Sequence, residues 1–514
     1  MNLESSMMNI TNETQTGNSD LNLKPGRISK SSFLAAAQCS RLGWFAINAR
    51  HHVPPPDKEM LALFQQGHDL ECLARQMFPD GTLIAPGNSD VDQVVSETTA
   101  ALKTGRPLFE AGFCYGGTFA RADILVASGH DCWDLLEVKG VTSIGEPQLL
   151  DLAFQARTIT GFGHKLRRCF LVYLNKNYSR NGSLDLDALF VRQDCTQQIR
   201  ELNTAIEHLL DDLAGIQKLT HPPSVPIGPH CSDPVVCPLY EQCWGSLPEH
   251  NVTELYSGKR KGFELLTKGI KKIIDIPVDR HLTDRQEIQR SCITSGQPHI
   301  SKPAIGAFLE SLIYPVHYLD FETIATPVPL FDGVKPFQQI PFQYSLHKVF
   351  SKGFEPESHA FLAEGATDPR RALLNSLRAA IGSEGSLVAY NSPFEQTRLR
   401  ECAEAFPEFA AWIQSLGPRF IDLLQPFRAF RFYDPRQRGS CSLKAVMPIL
   451  TGQGYDHLAI RNGASASQEF LRITFGEVPE PERQAVRTRL LAYCSQDTIG
   501  MVRIVEALGK LVSE

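Results

Sequence analysis

The chain has 514 residues, with 51 Lys and Arg against 57 Asp and Glu, and a formal net charge of −6 at pH 7. That length exceeds one typical core and predicts two or three domains, while the charge balance excludes an all-over basic coat for nucleic acid but permits a local positive groove. No apolar run is long enough to span a membrane, and 13 cysteines in so long a chain suit buried thiols or metal ligands in a cytoplasmic protein better than the disulfide framework of a small secreted one.

Residues 1–27 are polar, rich in Asn, Ser and Thr, and lack the basic start and apolar stretch of a secretory signal, so a disordered tail is expected. From Ile28 to about His250, helical stretches such as EMLALFQQGHDLECLARQMF alternate with short strands such as RCFLVYLN, giving a first α/β domain over 28–250. Within it, TFARADILVA and CWDLLEVKG both alternate, and SGHD between them supplies turn residues, which predicts a hairpin. Alternation puts Leu135, Glu137 and Lys139 on one face of the second strand. Pairing brings Asp123 roughly opposite Leu136 and Glu137. Two carboxylates beside one amine can hold a divalent cation that lowers the pKa of a bound water, while the amine stabilises phosphoryl charge. The plain alternative is a strand-edge ion pair of little energetic weight.

Near the end of this domain, HCSDPVVCPLYEQCW spaces Cys231, Cys237 and Cys243 with five residues between successive thiols. A zinc ribbon would prefer C-x-x-C pairs. Four thiolates suit an iron–sulfur cluster, and small buried hydrophobes are the alternative. The segment TELYSGKRKGFELLTKGIKKIIDIP reads as helical and basic through Lys259, Arg260, Lys261, Lys268, Lys271 and Lys272, so 251–312 is expected to be a helical basic linker with either a solvated face or a nucleic-acid contact.

A strand in VHYLDFET opens a second α/β domain over 313–514, with Tyr318, Asp320 and Glu322 on one face. LVAYNSPFEQTRL puts Asn391 and Glu395 at a helix start, and LLAYCSQDTIGMV sets Tyr493 and Asp497 four apart on one helical face.

With these residues assembled, the first domain resembles the iron–sulfur members of the PD-(D/E)XK, restriction-endonuclease-like superfamily, the RecB-like group that includes the CRISPR adaptation nucleases. The resemblance implies a 4Fe-4S cluster on Cys39, in SKSSFLAAAQC, together with Cys231, Cys237 and Cys243. It also matches His68, with Glu71 as a second candidate, to the first-helix motif, Asp123 to the metal aspartate, Glu137 and Lys139 to the E-x-K, and Gln155 to the glutamine of the following helix. Ile159 stands where that group usually has an aromatic residue.

The second domain resembles the DEDD exonucleases of the ribonuclease H-like fold, in the subgroup whose third motif carries a tyrosine. That likeness makes Asp320 and Glu322 the first-motif metal ligands, Glu395 the second-motif acid in place of the usual Asp, Asp497 the last ligand and Tyr493 the residue orienting the attacking water. FIDLLQPFR and GSCSLKAVMPIL fall where such enzymes place the segments between motifs. Nearly all the chain after the tail resembles a bacterial family known only as domain-of-unknown-function family 2779, a label that supplies no activity. Together the resemblances imply an Mg²⁺- or Mn²⁺-dependent nuclease acting on nucleic acid, DNA ahead of RNA and as an exonuclease ahead of an endonuclease. Repair or defence would be its setting, with a helicase as candidate partner. The alternatives are a nuclease-derived binding scaffold and a subunit of a helicase–nuclease complex.

Overall fold

The computed structural model describes residues 27–85, 90–129 and 131–513. The tail expected over 1–27 lies outside these residues except for Arg27. The chain divides into two compact units, one of residues 1–243 with 327–336, the other of 244–326 with 337–514. The cut therefore falls at Cys243/Trp244, the segment 251–312 belongs to the second unit, and a short excursion from the second half completes the first.

The first unit is built on a seven-stranded mixed sheet in the order β2-β3-β4-β5-β6-β7 with β1 beside β4. Its strands are β1 (Ile28–Ser29), β2 (Thr82–Leu83), β3 (Leu108–Tyr115), β4 (Thr118–Ala127), β5 (Cys132–Lys139), β6 (Lys165–Leu174) and β7 (Phe190–Asp194). Gly116 and Gly117, at φ 54° and 80°, close the two-residue turn between β3 and β4, a geometry that needs positive φ at both central positions. The expected hairpin is β4 and β5, antiparallel, with Ile124 opposite Leu136. β5 then runs parallel to β6 through the helix Glu146–Phe162, which Gly163 ends at φ 117°. The helix Lys30–Gln38 starts where Ser29 Oγ accepts from the Ser32 N–H at 3.1 Å, and Asp57 does the same for the helix Lys58–Arg75. Phe33, Leu108, Phe113, Leu135, Phe154 and Leu171 fill the core between these helices and the sheet.

The second unit has a five-stranded sheet, β11-β10-β9-β12-β13, and a two-stranded one, β14-β8. The strands are β8 (His299–Ile300), β9 (Val316–Ile324), β10 (Ile340–Val349), β11 (Glu357–Leu362), β12 (Leu387–Ala389), β13 (Phe420–Asp422) and β14 (Phe432–Tyr433). β9 pairs antiparallel with β10 and parallel with β12, and β12 pairs parallel with β13. The last helix, Glu480–Ser513, has 34 residues, about 50 Å of rise. Its register over β10 is fixed by polar contacts inside the core. Gln343 Nε2 donates to the Leu490 carbonyl at 2.9 Å, and Thr498 Oγ1 lies 2.7 Å from both Ser345 Oγ and His347 Nδ1.

The basic segment is less helical than its composition predicts. Between Thr253 and Pro277 only Lys259–Thr267 forms an α-helix, flanked by single 3₁₀ turns at Val252–Glu254 and Ile273–Asp275, while Asp284–Ser295 and Lys302–Glu310 are helical further on. Gly269 at φ 80° ends the helical run. This part of the unit folds around its own apolar cluster of Val252, Leu255, Leu265, Ile273, Ile276 and Leu282, so 251–312 is a packed element and not a bare connector. Among the described residues, no helix is long and apolar enough to cross a membrane.

Candidate active sites

In the first unit, acids stand where core strands would carry leucine. Asp123 on β4 is 6% exposed and Glu137 on β5 is 1% exposed. The Val138 N–H donates to Asp123 Oδ2 at 2.8 Å, fixing that carboxylate against β5. Glu71, Glu110 and Asp123 bring one oxygen each within 4.8 Å of one another. The ladder pairs Phe109 with Ile124 and Ala111 with Ala122, so Glu110 and Asp123 face each other where regular pairing lapses, and Glu110 sits at φ 58°. A non-glycine residue held there costs about 1–3 kcal/mol. Arg75 Nη2, donating to Glu110 Oε1 at 2.5 Å, and Arg121 Nε, 3.4 Å from Oε2, hold the side chain in place.

The amines cluster on the other side of Glu137. Lys139 Nζ donates to Glu137 Oε1 at 2.6 Å and pairs with Asp151. Lys30 Nζ donates to the same Glu137 oxygen at 2.9 Å and lies 3.5 Å from Asp151 Oδ2. Gln155 Nε2 donates to Asp151 Oδ1 at 2.9 Å, so the predicted glutamine acts on the lysines' second carboxylate. Glu137 Oε2 is buried with no hydrogen-bond partner. His68 stands at the margin: its side chain is 53% exposed, with Nδ1 4.0 Å from Glu71 Oε2 and Nε2 3.6 Å from Cys72 Sγ. Glu71, the second candidate, is the residue of this helix whose carboxylate joins Glu110 and Asp123. Ile159 is fully buried in the core, so its position faces packing and no substrate.

Burial, with the Glu110 and Glu137 charges, pushes Glu71 up to about 7. Burial, then Glu137 and Glu71, pushes Asp123 well above the usual carboxylate range. Glu137 goes the other way: burial works against its charge, but the Lys139 and Lys30 ammoniums outweigh burial and hold it below its ordinary value. Burial likewise opposes the charge on both lysines, and Asp151 and Glu137 reverse the effect, so both amines are raised. Three oxygens at close range, two raised carboxylates and one orphaned carboxylate oxygen form a donor set suited to a hard divalent cation.

In the second unit, β9 and the last helix place the acids. Asp320, Glu322 and Cys494 bring ligand atoms within 4.8 Å of one another, with Cys494 Sγ 3.8 Å from Asp320 Oδ2. Asp497, one helical turn beyond Cys494, accepts a hydrogen bond from the buried Tyr455 hydroxyl. The Tyr493 ring lies 6.2 Å from the Tyr455 ring, and Lys444 Nζ stands 5.3 and 5.5 Å from the centroids of Tyr455 and Tyr493. Glu395 lies in the first turn of the helix Pro393–Ala405 and is 2% exposed. Its Oε2 is buried without a partner. Asn391, at φ 74°, donates its N–H to Asp422 Oδ1 at 2.9 Å and sets the entry of that helix. Tyr318 is packed in the core at 2% exposure, outside the acid group.

Among the described residues no lysine pairs with these acids as two pair with Glu137, and all four carboxylates shift the same way. Burial, then Asp497, Glu322 and Glu395, pushes Asp320 well up. Burial and Asp497 push Glu322 up to about 8, against Lys444, and burial with Asp422 pushes Glu395 up to about 8. Asp497 rises to about 6 through burial, opposed by the Tyr455 hydrogen bond and Lys444. This donor set also fits a divalent cation, with a thiol that the sequence reading did not include.

Cys39, Cys231, Cys237 and Cys243 line one small cavity with Arg41, His230 and Tyr240. Gln38 Nε2 donates to the carbonyls of His230 at 2.8 Å and Val235 at 2.7 Å, tying the early helix to the late cysteine loop. Burial, and then the neighbouring thiols, raise Cys237. Four thiols from opposite ends of the unit converging on one cavity are a donor set suited to an iron–sulfur cluster.

Of the basic residues, Lys259, Arg260, Lys268, Lys271 and Lys272 are exposed, and Lys261 is half-buried and donates to the His281 carbonyl. Lys259 Nζ stands 5.8 Å from the Trp244 ring, and Arg260 lies 3.6 Å from Glu264.

The sequence reading omitted Glu110, Lys30, Asp151, Cys494 and Tyr455. Glu110 had a signal, since counting back from the two-glycine turn, with Tyr115 opposite Thr118, sets Glu110 against Asp123. Asp151 lies one helical turn before Gln155, also a readable spacing. Lys30 and Tyr455 reach their sites across 107 and 42 residues, and no periodicity reports such contacts.

The family described as Domain of unknown function (DUF2779) matches residues 317–442, the part of the second unit that carries Asp320, Glu322 and Glu395. Uncharacterized protein UU173 of Ureaplasma parvum is 24% identical over 286 residues, 50% of this chain and 40% of that protein. Uncharacterized protein MG366 of Mycoplasma genitalium is 26% identical over 221 residues, 38% of this chain and 32% of that protein. Its Mycoplasma pneumoniae homolog is 25% identical over 211 residues, 36% of this chain and 31% of that protein. The chain thus spans well under two thirds of the length of the curated relatives it matches.

Proposed function

We propose that the protein is a metal-dependent nuclease with two hydrolytic centres, a PD-(D/E)XK-like one in the first unit and a ribonuclease H-like DEDD one in the second. The observation that carries this reading is the pair of close-set, buried or half-buried groups, Glu71–Glu110–Asp123 in one unit and Asp320–Glu322–Cys494 in the other, together with two further buried acids, Glu137 and Glu395, whose Oε2 atoms have no hydrogen-bond partner. Buried acids left in that state are costly unless something positive joins them. Bound Mg²⁺ or Mn²⁺ would neutralise them, activate water and stabilise phosphoryl oxygens.

Around that chemistry, each chain residue has a definable task. Asp123, Glu71, Glu110 and Glu137 would hold the cation in the first unit, and Lys139 is the ammonium placed to balance developing phosphoryl charge. Gln155 and Asp151 keep that lysine oriented. In the second unit Asp320, Glu322, Glu395 and Asp497 would hold cations, and the Tyr493 hydroxyl would orient the attacking water. The antiparallel–antiparallel–parallel–parallel order of the five-stranded sheet, with the acids on its central β9, supports the ribonuclease H-like reading. A phosphodiester of nucleic acid, DNA ahead of RNA, is the substrate class both centres share. The exposed Lys259, Arg260, Lys271 and Lys272 would meet its backbone. Cys39, Cys231, Cys237 and Cys243 would hold a 4Fe-4S cluster that closes the first unit, and a helicase or repair and defence assembly would be its partner.

A second reading, a nucleic-acid-binding scaffold, draws on the Tyr455 hydroxyl bound to Asp497, which occupies a ligand oxygen of the second centre. One experiment separates the two. The full chain, purified without oxygen and assayed for iron and sulfide, is given end-labelled single- and double-stranded DNA and RNA with Mg²⁺, Mn²⁺ or chelator. Cleavage with metal and none with chelator is expected; binding without cleavage under every condition selects the scaffold.

A further inference from the structure

The E-x-K pattern contains one lysine, whereas the folded site contains two. Lys30 opens the helix Lys30–Gln38, on the turn that Ser29 caps, and its Nζ reaches Glu137 Oε1 at 2.9 Å and Asp151 Oδ2 at 3.5 Å. Lys139 reaches the same two carboxylates. Glu137 Oε1 therefore accepts two ammoniums, while the buried Glu137 Oε2 makes no hydrogen bond among the described residues, with the Gln155 side chain standing near the carboxylate. A carboxylate with one oxygen clamped from two sides has lost the freedom to turn, and the Glu137 charge acts on both Glu71 and Asp123, so this fixed carboxylate stands beside the acid group although outside its three closest oxygens.

We propose that Lys30 is a positioning residue of the first hydrolytic centre, which clamps Glu137 Oε1 together with Lys139 and so presents Oε2 as the ligand. This rests on the hydrolytic reading of the first unit and adds a residue that the E-x-K spacing does not contain. It makes a prediction that a packing role does not. Removing Lys30 takes a positive charge from beside a cation site, which by Coulomb's law leaves divalent binding as tight or tighter, while the loosened Glu137 makes turnover slower.

The test uses the full chain carrying Asp320→Asn to silence the second centre. Mn²⁺ binding is followed by electron paramagnetic resonance, and single-turnover cleavage of labelled DNA is measured at saturating Mn²⁺. Lys30→Met is expected to slow cleavage at least about tenfold, as loss of one organising charge does, with the Mn²⁺ dissociation constant unchanged or lower. Lys30→Arg, which keeps the clamp, stays within about threefold of the parent, and Lys30→Gln, which keeps one neutral hydrogen bond, falls between. The proposal is overturned if Lys30→Met cuts at the parental rate, if Lys30→Arg is as slow as Lys30→Met, or if Lys30→Gln loses Mn²⁺ binding together with its thermal transition. If the Asp320→Asn parent itself neither binds Mn²⁺ nor cuts, the hydrolytic reading of the first unit falls, and that result is distinct from a failure of Lys30 alone.

Discussion

The two centres gather similar numbers of acids and compensate them differently. In the first unit two lysines stand in contact with Glu137 and hold it ionised, while Glu71 and Asp123 are pushed up. In the second, the Lys444 ammonium stands over tyrosine rings, and Asp320, Glu322, Glu395 and Asp497 are all pushed up. One acid group thus carries part of its own counter-charge, and the other, among the described residues, has no lysine in contact with its carboxylates. Internal cations also suit an E-x-K centre, where an amine takes part in hydrolysis, whereas a centre built only of acids leaves charge balance to its metals.

The pH response should expose this contrast most strongly. A carboxylate whose folded pKa is raised contributes stability that is full below its ordinary pKa and is lost as pH rises through the raised value. With Glu322 and Glu395 moved from 4.5 to about 8, the metal-free second unit is expected to lose stability between those pH values. Glu137, lowered by its lysines, has the opposite sign: its contribution is present above its ordinary pKa and is lost as pH falls through the lowered one. It partly offsets Glu71 and Asp123. Mn²⁺ must displace the protons held by the raised acids, so its apparent affinity should rise about tenfold per pH unit for each proton displaced. Calorimetry in two buffers of different ionisation heat counts those protons. Asp320→Asn should reduce the count more than Asp123→Asn, and an equal reduction would erase the contrast.

A smaller effect concerns the basic surface. Replacing exposed Lys271 and Lys272 with Ala should lower the salt slope of DNA binding by about 2, near 0.9 for each phosphate no longer neutralised. Measured by fluorescence anisotropy without divalent cation, an unchanged slope would assign these residues to a solvated face.

What was legible in the sequence follows from which interactions are local. The alternation of TFARADILVA and CWDLLEVKG gave the β4–β5 hairpin, and the common face of Asp320 and Glu322 followed from the same period. Glu110 was readable but required the register to be counted from the Gly116–Gly117 turn. Lys and Leu favour helix by composition, but between Thr253 and Pro277 the helix is confined to Lys259–Thr267, which Gly258 caps and Gly269, at positive φ, ends. Lys30, Tyr455 and the meeting of Cys39 with the late cysteines come from chain closure over long separations, which propensity does not encode. Cys494 was passed over because the flanking Tyr493 and Asp497 matched a motif and the thiol between them did not.

The central claim is that both acid groups are hydrolytic centres in one chain. Its most direct test is Mn²⁺-dependent cleavage of end-labelled DNA by the full protein, by Asp123→Asn, by Asp320→Asn and by the double variant, all checked for folding by circular dichroism. Each single variant should leave a distinct product pattern belonging to the remaining centre, and the double variant should cut at least about a hundredfold more slowly than the parent, the scale expected when an organised charge site is removed. A folded double variant that retains the parental metal-dependent rate would contradict the account.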